Sequence, residues 1–268
     1  MQKTILITGS TDGIGFEAAK TLVEQGHHVL IHGRSPDKLK RVEEELSGFQ
    51  GDGRVEGYVA DLSVMREVES LAATIKVNYQ QLDVLINNAG VLNALEPTTR
   101  DGLEIRFAVN TIAPYLLTQR LLPLLGAEGR VINISSAAQS PVDTTLLAGG
   151  THQLPDMSIY AQSKLALNMW SRHMALENES GPMIVAVNPG SLLATKMVKQ
   201  AFNMDGHDIQ IGVKILVRAA LTDEFATASG DYFDNDSGRF ASPHSDALDA
   251  NKNREVVSVI EAILGRID

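Results

Sequence analysis

An apolar run near the N-terminus leads directly into a turn rich in glycine. The run is Thr4–Thr8, and an amphipathic stretch, Gly15–Gln25, follows the turn. Glycine permits a tight turn and lets backbone N–H groups approach an anion closely. The N-terminal end of the following helix would add its positive dipole. The order strand, turn, helix predicts an α/β fold whose first turn binds a phosphate group, through Gly9, Ser10, Thr11, Asp12, Gly13, Ile14 and Gly15.

Short apolar runs alternate with longer amphipathic stretches, a pattern typical of βαβ units and a parallel sheet. The further predicted strands are His28–His32, Arg54–Ala60, Asp83–Asn87, Arg130–Ser135 and Met183–Asn188. The further predicted helices are Pro36–Leu46, Met65–Asn78, Leu103–Leu125 and Met157–Asn178. No linker or repeat divides the chain. We therefore expect a single doubly wound Rossmann-like domain over residues 1–268, with a parallel sheet of about seven strands and helices on both faces.

Composition narrows the classes of partner. A net charge of -10 disfavours nucleic acid, whose phosphates require clustered Lys and Arg. The chain has no cysteine and no H-E-x-x-H motif, so thiolate chemistry is excluded and no metal site is expected. No segment reaches the roughly 18 apolar residues of a membrane span. A cytoplasmic enzyme without an integral membrane segment is the expectation, and attachment to a membrane through an amphipathic surface stays open.

The second predicted strand ends in a short polar segment, His32-Gly33-Arg34-Ser35. A carboxylate there would bind the adenosine ribose hydroxyls, whereas Arg34 beside a small residue can accept a 2′-phosphate through charge-assisted hydrogen bonds. NADP(H) is therefore favoured over NAD(H) as the cofactor. The alternative is that Arg34 is a solvated cation at the start of a helix.

Tyr160 and Lys164 are four residues apart in a predicted helix, so their side chains share one face. A nearby cation favours phenolate, which would lower the tyrosine pKa from about 10 toward neutrality. Such a tyrosine can give a proton to a carbonyl oxygen or take one from an alcohol. The pair alone can arise by chance, so it needs further support from other segments.

The support comes from an ordered series of segments between residue 4 and about residue 195: the turn Thr8–Gly15, Asp61-Leu62, Asn87-Asn88-Ala89-Gly90, Val109-Asn110, Asn133-Ile134-Ser135-Ser136, Tyr160 with Lys164, and Asn188-Pro189-Gly190. This series resembles the short-chain dehydrogenase/reductase family in its compact branch, where the glycine spacing is G-x-x-x-G-x-G. The segment Tyr160–Ala166 is similar to the retinol-dehydrogenase-like group.

The resemblance implies a role for each matching residue. Tyr160 would be the general acid or base, and Lys164 would lower its pKa and bind the nicotinamide ribose. Ser136 would hydrogen-bond the substrate oxygen, and Asn110 would hold a water in a proton relay. The cofactor would also contact Asp61 and Leu62 at the adenine, Asn87, Ala89 and Gly90 by its ribose, and Pro189 and Gly190 by the nicotinamide. The alternative for these serines and asparagines is an ordinary role in turns and caps.

Two departures from the family pattern concern the substrate side. Thr195 lies one residue later than the threonine that often follows the proline and glycine, so its cofactor contact is in doubt. Val142–Gly150 is an insertion between Ser136 and Tyr160. The segment around 191–215, which follows a strand end, is a candidate substrate lid, with a plain surface loop as the alternative.

The resemblance implies an enzyme that moves a hydride between nicotinamide C4 and a carbonyl or alcohol carbon of a small-molecule substrate. Two other interpretations stay open: an NADP(H)-sensing binding protein without turnover, and an epimerase or dehydratase that uses the same tyrosine. The resemblance also implies a homodimer or homotetramer, because family members often pair between subunits through long helices such as Leu103–Leu125 and Met157–Asn178.

Overall fold

Eight strands form one sheet in the computed structural model, which describes residues 1–49, 51–150 and 154–267. The order across the sheet is β3-β2-β1-β4-β5-β6-β7-β8. Their bounds are β1 Thr4–Ile7, β2 His28–Gly33, β3 Arg54–Val59, β4 Val84–Asn87, β5 Arg130–Ile134, β6 Met183–Asn188, β7 Tyr232–Asp234 and β8 Arg239–Ala241. All pairs are parallel except β7 with β8, which is antiparallel. The predicted doubly wound fold is confirmed, with one antiparallel strand added at its edge.

Ten α-helices lie in the described part of the chain and cover both faces of the sheet. Their bounds are α1 Gly13–Glu24, α2 Pro36–Ser47, α3 Met65–Asn78, α4 Ile105–Phe107, α5 Ala113–Leu125, α6 Thr144–Leu147, α7 Asp156–Glu177, α8 Lys196–Phe202, α9 Gln210–Leu221 and α10 Ala250–Ile267. Within this described part, no helix is both long and apolar enough to cross a bilayer.

The core has two layers, one on each face of the sheet. Leu6 of β1 packs into the layer formed with α3, α5, α7 and α10. Its neighbours Ile5 and Ile7 pack into the layer formed with α1, α2 and α9. Successive side chains of a strand point to opposite faces, so strands buried on both sides must be apolar throughout. This explains why the central strands read as continuous Val, Ile and Leu.

The order of the strands reverses between β1 and β4. These strands are parallel neighbours with Ile7 opposite Ile86, and their connections leave in opposite directions toward β2 and β5. A crevice opens at the carboxyl ends of strands where the order reverses. The glycine turn after β1 and the Asn87–Gly90 segment after β4 therefore lie at the same crevice.

The predicted helix Leu103–Leu125 is wrong as a single helix. A π-helical turn, Ala108–Ile112, separates α4 from α5, and the Ala113 N–H bonds to the Ala108 carbonyl five residues earlier. Pro114 has no N–H to donate to the Asn110 carbonyl, so the α-helical ladder cannot run through this point. The bulge places Asn110 at the irregular turn.

The C-terminal helix α10 lies against α7. Val256, Ile260 and Ile263 of α10 are buried in the same core layer as Trp170 of α7. Tyr115 of α5 donates a 2.9 Å hydrogen bond to Glu261 of α10. An apolar flank of the helix that carries Tyr160 is therefore covered from within the chain.

Candidate active site

Two glycines of the turn after β1, Gly9 and Gly15, have no room for a Cβ. Gly9 has φ +65°, and a Cβ there would lie 2.8 Å from the Ala89 Cα. A Cβ on Gly15 would lie 2.5 Å from the Gly9 carbonyl oxygen. Asp12 caps α1 by accepting a 2.9 Å hydrogen bond from the Gly13 N–H. The turn thus fits tightly between β1 and the end of β4, and the N-terminus of α1 opens beside it.

His32 holds this turn, and sequence reasoning missed that role. Its Nδ1 accepts a 3.1 Å hydrogen bond from the Gly9 N–H, and its Nε2 lies 3.0 Å from the Ala60 carbonyl oxygen. Burial lowers the pKa of His32 to about 4, more than the Ala60 hydrogen bond raises it. The imidazole is therefore neutral near pH 7, with Nε2 as the donor. A histidine in an apolar strand gives no sign of this role, because the pattern equally suits an ordinary core residue.

One cavity of about 730 Å³ joins most of the predicted site residues. It extends from the end of β2, past the glycine turn, to the end of β5 and the start of α8. The predicted residues that line it are Gly9, Thr11, Asp12, Gly13, Ile14, Arg34, Asp61, Leu62, Ala89, Gly90, Ser136, Tyr160, Lys164, Pro189 and Gly190. The length and the polar-to-apolar change of this cleft suit a dinucleotide with a substrate at one end.

Ser10, Gly15, Asn87 and Asn110 do not line the cavity. Ser10 is buried, donates to the Ile7 carbonyl and accepts from the His32 N–H at 2.8 Å. The Asn87 side chain donates to Thr118 and to Asn133, which ties β4 to β5. These side chains hold the strand ends and the turn in place behind the wall of the cleft.

The Asn110 side chain does not line the cavity but forms hydrogen bonds with residues next to it. Its Oδ1 accepts a 2.8 Å hydrogen bond from the Val91 N–H, and its Nδ2 donates to the Val91 carbonyl and to Ser163. These bonds engage both ends of the amide. Pro114 cannot donate to the Asn110 carbonyl. The role of Asn110 in a proton relay stays a prediction.

Ser136, Tyr160 and Lys164 meet at the far end of the cleft. The side chains of Ser136 and Tyr160 line this end of the cavity together, near enough for Ser136 to lower the pKa of the tyrosine. The Lys164 ammonium lies 5.6 Å from the centre of the Tyr160 ring and donates a 2.7 Å hydrogen bond to the Ile134 carbonyl. Gly90 lies beside this region, and a Cβ there would be in ordinary contact with the Lys164 Nζ at 3.6 Å and the Asn110 Oδ1 at 3.5 Å.

The expected fall in the Tyr160 pKa is wrong for this arrangement. Burial raises the pKa of the Tyr160 phenol above its ordinary value, and the hydrogen bond with Ser136 opposes that rise only in part. Burial also lowers the pKa of Lys164 to about 8. Removal from water disfavours the charged form of both groups, so the pKa of Tyr160 rises, the pKa of Lys164 falls, and the two values move apart.

A basic cluster lies at the other end of the cleft. Lys38 and Lys196 both contact the Asp12 carboxylate, at 2.9 Å and 2.7 Å. Burial raises the pKa of Asp12, but the hydrogen bonds from Lys196 and Lys38 outweigh it and lower the pKa to about 2. Arg34 lines the same part of the cavity. Sequence analysis identified Arg34 and not the two lysines, because their approach to Asp12 depends on how α2 and α8 pack.

The segment that begins after Gly190 forms a loop beside the cleft, and backbone hydrogen bonds join the two ends of this loop. Ala194 donates to the His207 carbonyl at 2.8 Å, and His207 donates to the Leu192 carbonyl at 2.7 Å. Between these contacts lies α8, whose N-cap Thr195 accepts from the Val198 N–H at 3.3 Å. The Lys196–Asp12 pair connects α8 to the phosphate turn.

Part of the insertion before Tyr160 forms α6, and residues 151–153 lie outside the described part of the chain. Asp143 caps α6, and its own N–H donates a 2.9 Å hydrogen bond to Gln162 on α7. Within residues 1–49, 51–150 and 154–267, no group of three or more His, Asp or Glu side chains is placed to hold a metal ion.

The chain is similar to known proteins over most of its length. It is 28% identical over 263 residues to human "Retinol dehydrogenase 13", covering 91% of this chain and 80% of that protein. It is 31% identical over 256 residues to the "Putative daunorubicin C-13 ketoreductase DnrU" of a Streptomyces strain, covering 91% and 88%.

Solved structures share the fold. A putative short-chain dehydrogenase of Shigella flexneri complexed with NADP superimposes with a TM-score of 0.68 and 28% identity, covering 87% of this chain and 96% of that one. An uncharacterised protein of Mycobacterium paratuberculosis superimposes with a TM-score of 0.81 and 24% identity, covering 98% and 93%. A profile of the family described as "short chain dehydrogenase" matches residues 3–206. The chain belongs to the short-chain dehydrogenase family.

Proposed function

We propose that the chain is an NADP(H)-dependent oxidoreductase that moves a hydride between the nicotinamide and a carbonyl or alcohol carbon, with Tyr160 handling the proton on the substrate oxygen. The observation that carries this proposal is the single cavity that connects Arg34 at one end with Ser136, Tyr160 and Lys164 at the other. A dinucleotide laid along this cavity would bring its nicotinamide beside the tyrosine.

The cofactor fit rests on two features of the cleft. The Gly9 and Gly15 positions leave no room for a Cβ, as expected where backbone must approach a pyrophosphate at the N-terminus of α1. Arg34, with Lys38 nearby on α2, offers positive charge for a 2′-phosphate. The Shigella flexneri structure is described as complexed with NADP, which agrees with this assignment. The nicotinamide supplies hydride chemistry when it is bound.

The chain's own residues would handle the proton. Ser136 and Tyr160 line the same end of the cavity and interact with each other, so a carbonyl oxygen placed between their hydroxyl groups would accept a hydrogen bond from each. The Lys164 ammonium lies 5.6 Å from the centre of the tyrosine ring, where it would support the proton transfer. Its lowered pKa, about 8, suits a group that both holds and releases a proton near neutral pH.

The substrate end of the cavity is apolar. Its wall near Tyr160 is formed by Leu92, Ile105, Val109, Met157, Leu193, Met197 and Phe202. These side chains bury the apolar part of a ligand and leave the hydroxyl groups of Ser136 and Tyr160 as the main polar contacts. We therefore assign carbonyl compounds or alcohols with apolar substituents as the substrate class, and α8 with its flanking loops as the lid.

The two other interpretations predict different outcomes. An NADP(H)-sensing protein would bind the cofactor without turnover, and an epimerase or dehydratase would show no net oxidation of NADPH. The homodimer or homotetramer and the cytoplasmic location stay predictions. The side of α7 that packs against α10 is buried within the chain, so two subunits could pair through α7 only by another side of this helix.

An NADPH-oxidation screen across aldehydes, ketones and quinones tests the proposal. Tyr160→Phe is expected to lower kcat by about 10²- to 10⁴-fold on each substrate found, because it removes the acid and base group. Tyr79→Phe is the matched control, since the Tyr79 hydroxyl bonds to Glu56 away from the cleft. Full activity of Tyr160→Phe on every substrate refutes the mechanism. Tight NADPH binding with no turnover on any substrate favours the sensing protein.

A further inference from the structure

Arg106 is a buried cation beside the catalytic helix, with 1% of its side chain exposed. Its guanidinium pairs with Glu104 through Nη1 and with Asp156 through Nη2. Its Nε donates a 2.7 Å hydrogen bond to the Leu92 carbonyl. A buried charge persists only where such partners compensate for lost water, so these contacts fix the positions of the groups involved.

The three partners belong to three segments that each carry part of the site. Leu92 follows Gly90 at the end of β4 and lines the cavity. Glu104 caps α4, the short helix that leads into the π-helical turn of Asn110. Asp156 is the first residue of α7 and lies one helical turn before Tyr160. Arg106 therefore links the strand end beside the cleft to the helix that carries the tyrosine.

The start of α7 needs such a link for two reasons. The insertion Val142–Gly150 lengthens the chain between Ser136 and Tyr160, so chain connectivity alone does not set their spacing. The N-cap residue is Pro155, and in the described part of the chain no side chain caps α7. The four first N–H groups of a helix are otherwise prone to fraying. The Asp156–Arg106 pair takes the place of a cap in holding this turn.

We propose that Arg106 is a positioning residue for Tyr160: through Asp156 it holds the first turn of α7 at the distance from the β4 end that hydride transfer requires. This inference rests on the proposed oxidoreductase function. Loss of the pair would let Tyr160 move relative to the nicotinamide while the glycine turn and the Arg34 end of the cleft keep their shape. The step that slows would be the chemistry and not cofactor binding, since a displacement of about 1 Å can slow catalysis about 10²-fold.

Asp156→Asn is the variant of choice. Asp156 is half-exposed, and Arg106 keeps Glu104 as a partner, so the change leaves no unpaired charge in the core. We expect kcat to fall about tenfold or more, with the NADPH Kd within about twofold of the unmutated value. Asp156→Glu, which restores the charge, should recover most of the rate. The matched control is Asp249→Asn, which removes a carboxylate from the start of α10, where it accepts from the Asn251 N–H.

Two readouts separate positioning from a general loss of stability. With NADPH deuterated at nicotinamide C4, the isotope effect on kcat should be larger in Asp156→Asn, because the hydride step becomes more fully rate-limiting. Hydrogen–deuterium exchange should be faster in the first turn of α7 and unchanged in the glycine turn. Unchanged kcat, unchanged exchange in that turn, or an equal loss of kcat in Asp249→Asn overturns the proposal.

The outcomes also separate this inference from the proposed function. If Tyr160→Phe is inactive and Asp156→Asn is as active as the unmutated protein, the oxidoreductase assignment stands and the role of Arg106 falls. If the screen finds no substrate, the exchange measurement still decides whether the pair holds the first turn of α7.

Discussion

His32 makes the stability of the cofactor site dependent on pH. Its pKa is about 4 in the folded protein because burial disfavours the charged ring, against 6.5 in the unfolded chain. The unfolded chain therefore binds more protons between these values, and stability rises with pH through this window. The contribution is complete above pH 6.5 and is lost as the pH falls toward 4.

The size of the effect follows from the shift. A difference of one pKa unit corresponds to about 1.4 kcal/mol, so the shift of His32 is worth about 3 kcal/mol across the window. Replacement by Gln removes the titrating group and should flatten the dependence by that amount. The lowered pKa of His27, where burial is also the largest cause, acts in the same direction and remains in the variant.

Urea unfolding at a series of pH values between 4 and 7 measures this difference. His32→Gln should lose less free energy of unfolding than the unmutated protein as the pH falls, with His173→Gln on α7 as the control histidine. Equal slopes in His32→Gln and the unmutated protein would refute the argument that a buried neutral His32 holds the turn. His173→Gln keeps His32 and should keep the slope of the unmutated protein; a slope flattened as much as in His32→Gln would show that the effect is not specific to His32.

Two further substitutions test the cleft. Gly9→Ala should abolish cofactor binding, because its Cβ would meet the Ala89 backbone at 2.8 Å. The control is Gly26→Ala, where φ is +86° and no neighbour lies within 4 Å; it should cost only about 1 kcal/mol of stability and leave cofactor binding intact. Equal cofactor affinity in the two variants would contradict the close approach of backbone and cofactor at Gly9. Arg34→Asp should weaken NADPH binding about 10- to 100-fold by titration and leave NADH binding nearly unchanged, with Arg41→Asp on α2 as the control of equal charge. Equal affinity of the unmutated protein for NADPH and NADH would remove the basis for this prediction.

The parts of the fold set by local pattern could be predicted from the sequence. The central strands are buried on both faces, so their apolar runs are unambiguous, and the turn after β1 needs glycine for steric reasons that hold in any context. The helices α2, α3 and α7 begin and end within a residue or so of their predicted bounds, and Ser35 and Pro36 mark the start of α2. Most of the site follows from these elements.

The parts that depend on tertiary contacts could not be predicted. The strands β7 and β8 are three residues each in a segment rich in Asp, Ser and Gly, and packing among Phe225, Phe233 and Phe240 stabilises them. The rise in the pKa of Tyr160 could not be predicted either, because the spacing of Tyr160 and Lys164 shows the nearby cation but not the burial of the phenol. Arg106 looks like an ordinary charge in a helix until its three partners come together.

The packing of α10 against α7 affects how the protein folds during its synthesis. The helix with Tyr160 and Lys164 is complete in the nascent chain well before residues 250–267 have been synthesised, and until then one apolar flank of it faces solvent. Domains on the ribosome finish folding only when their last packing element emerges. A chain that ends before Ala250 would keep every predicted site residue and still expose this flank, so chaperone binding and degradation of the truncated product are the expected fate.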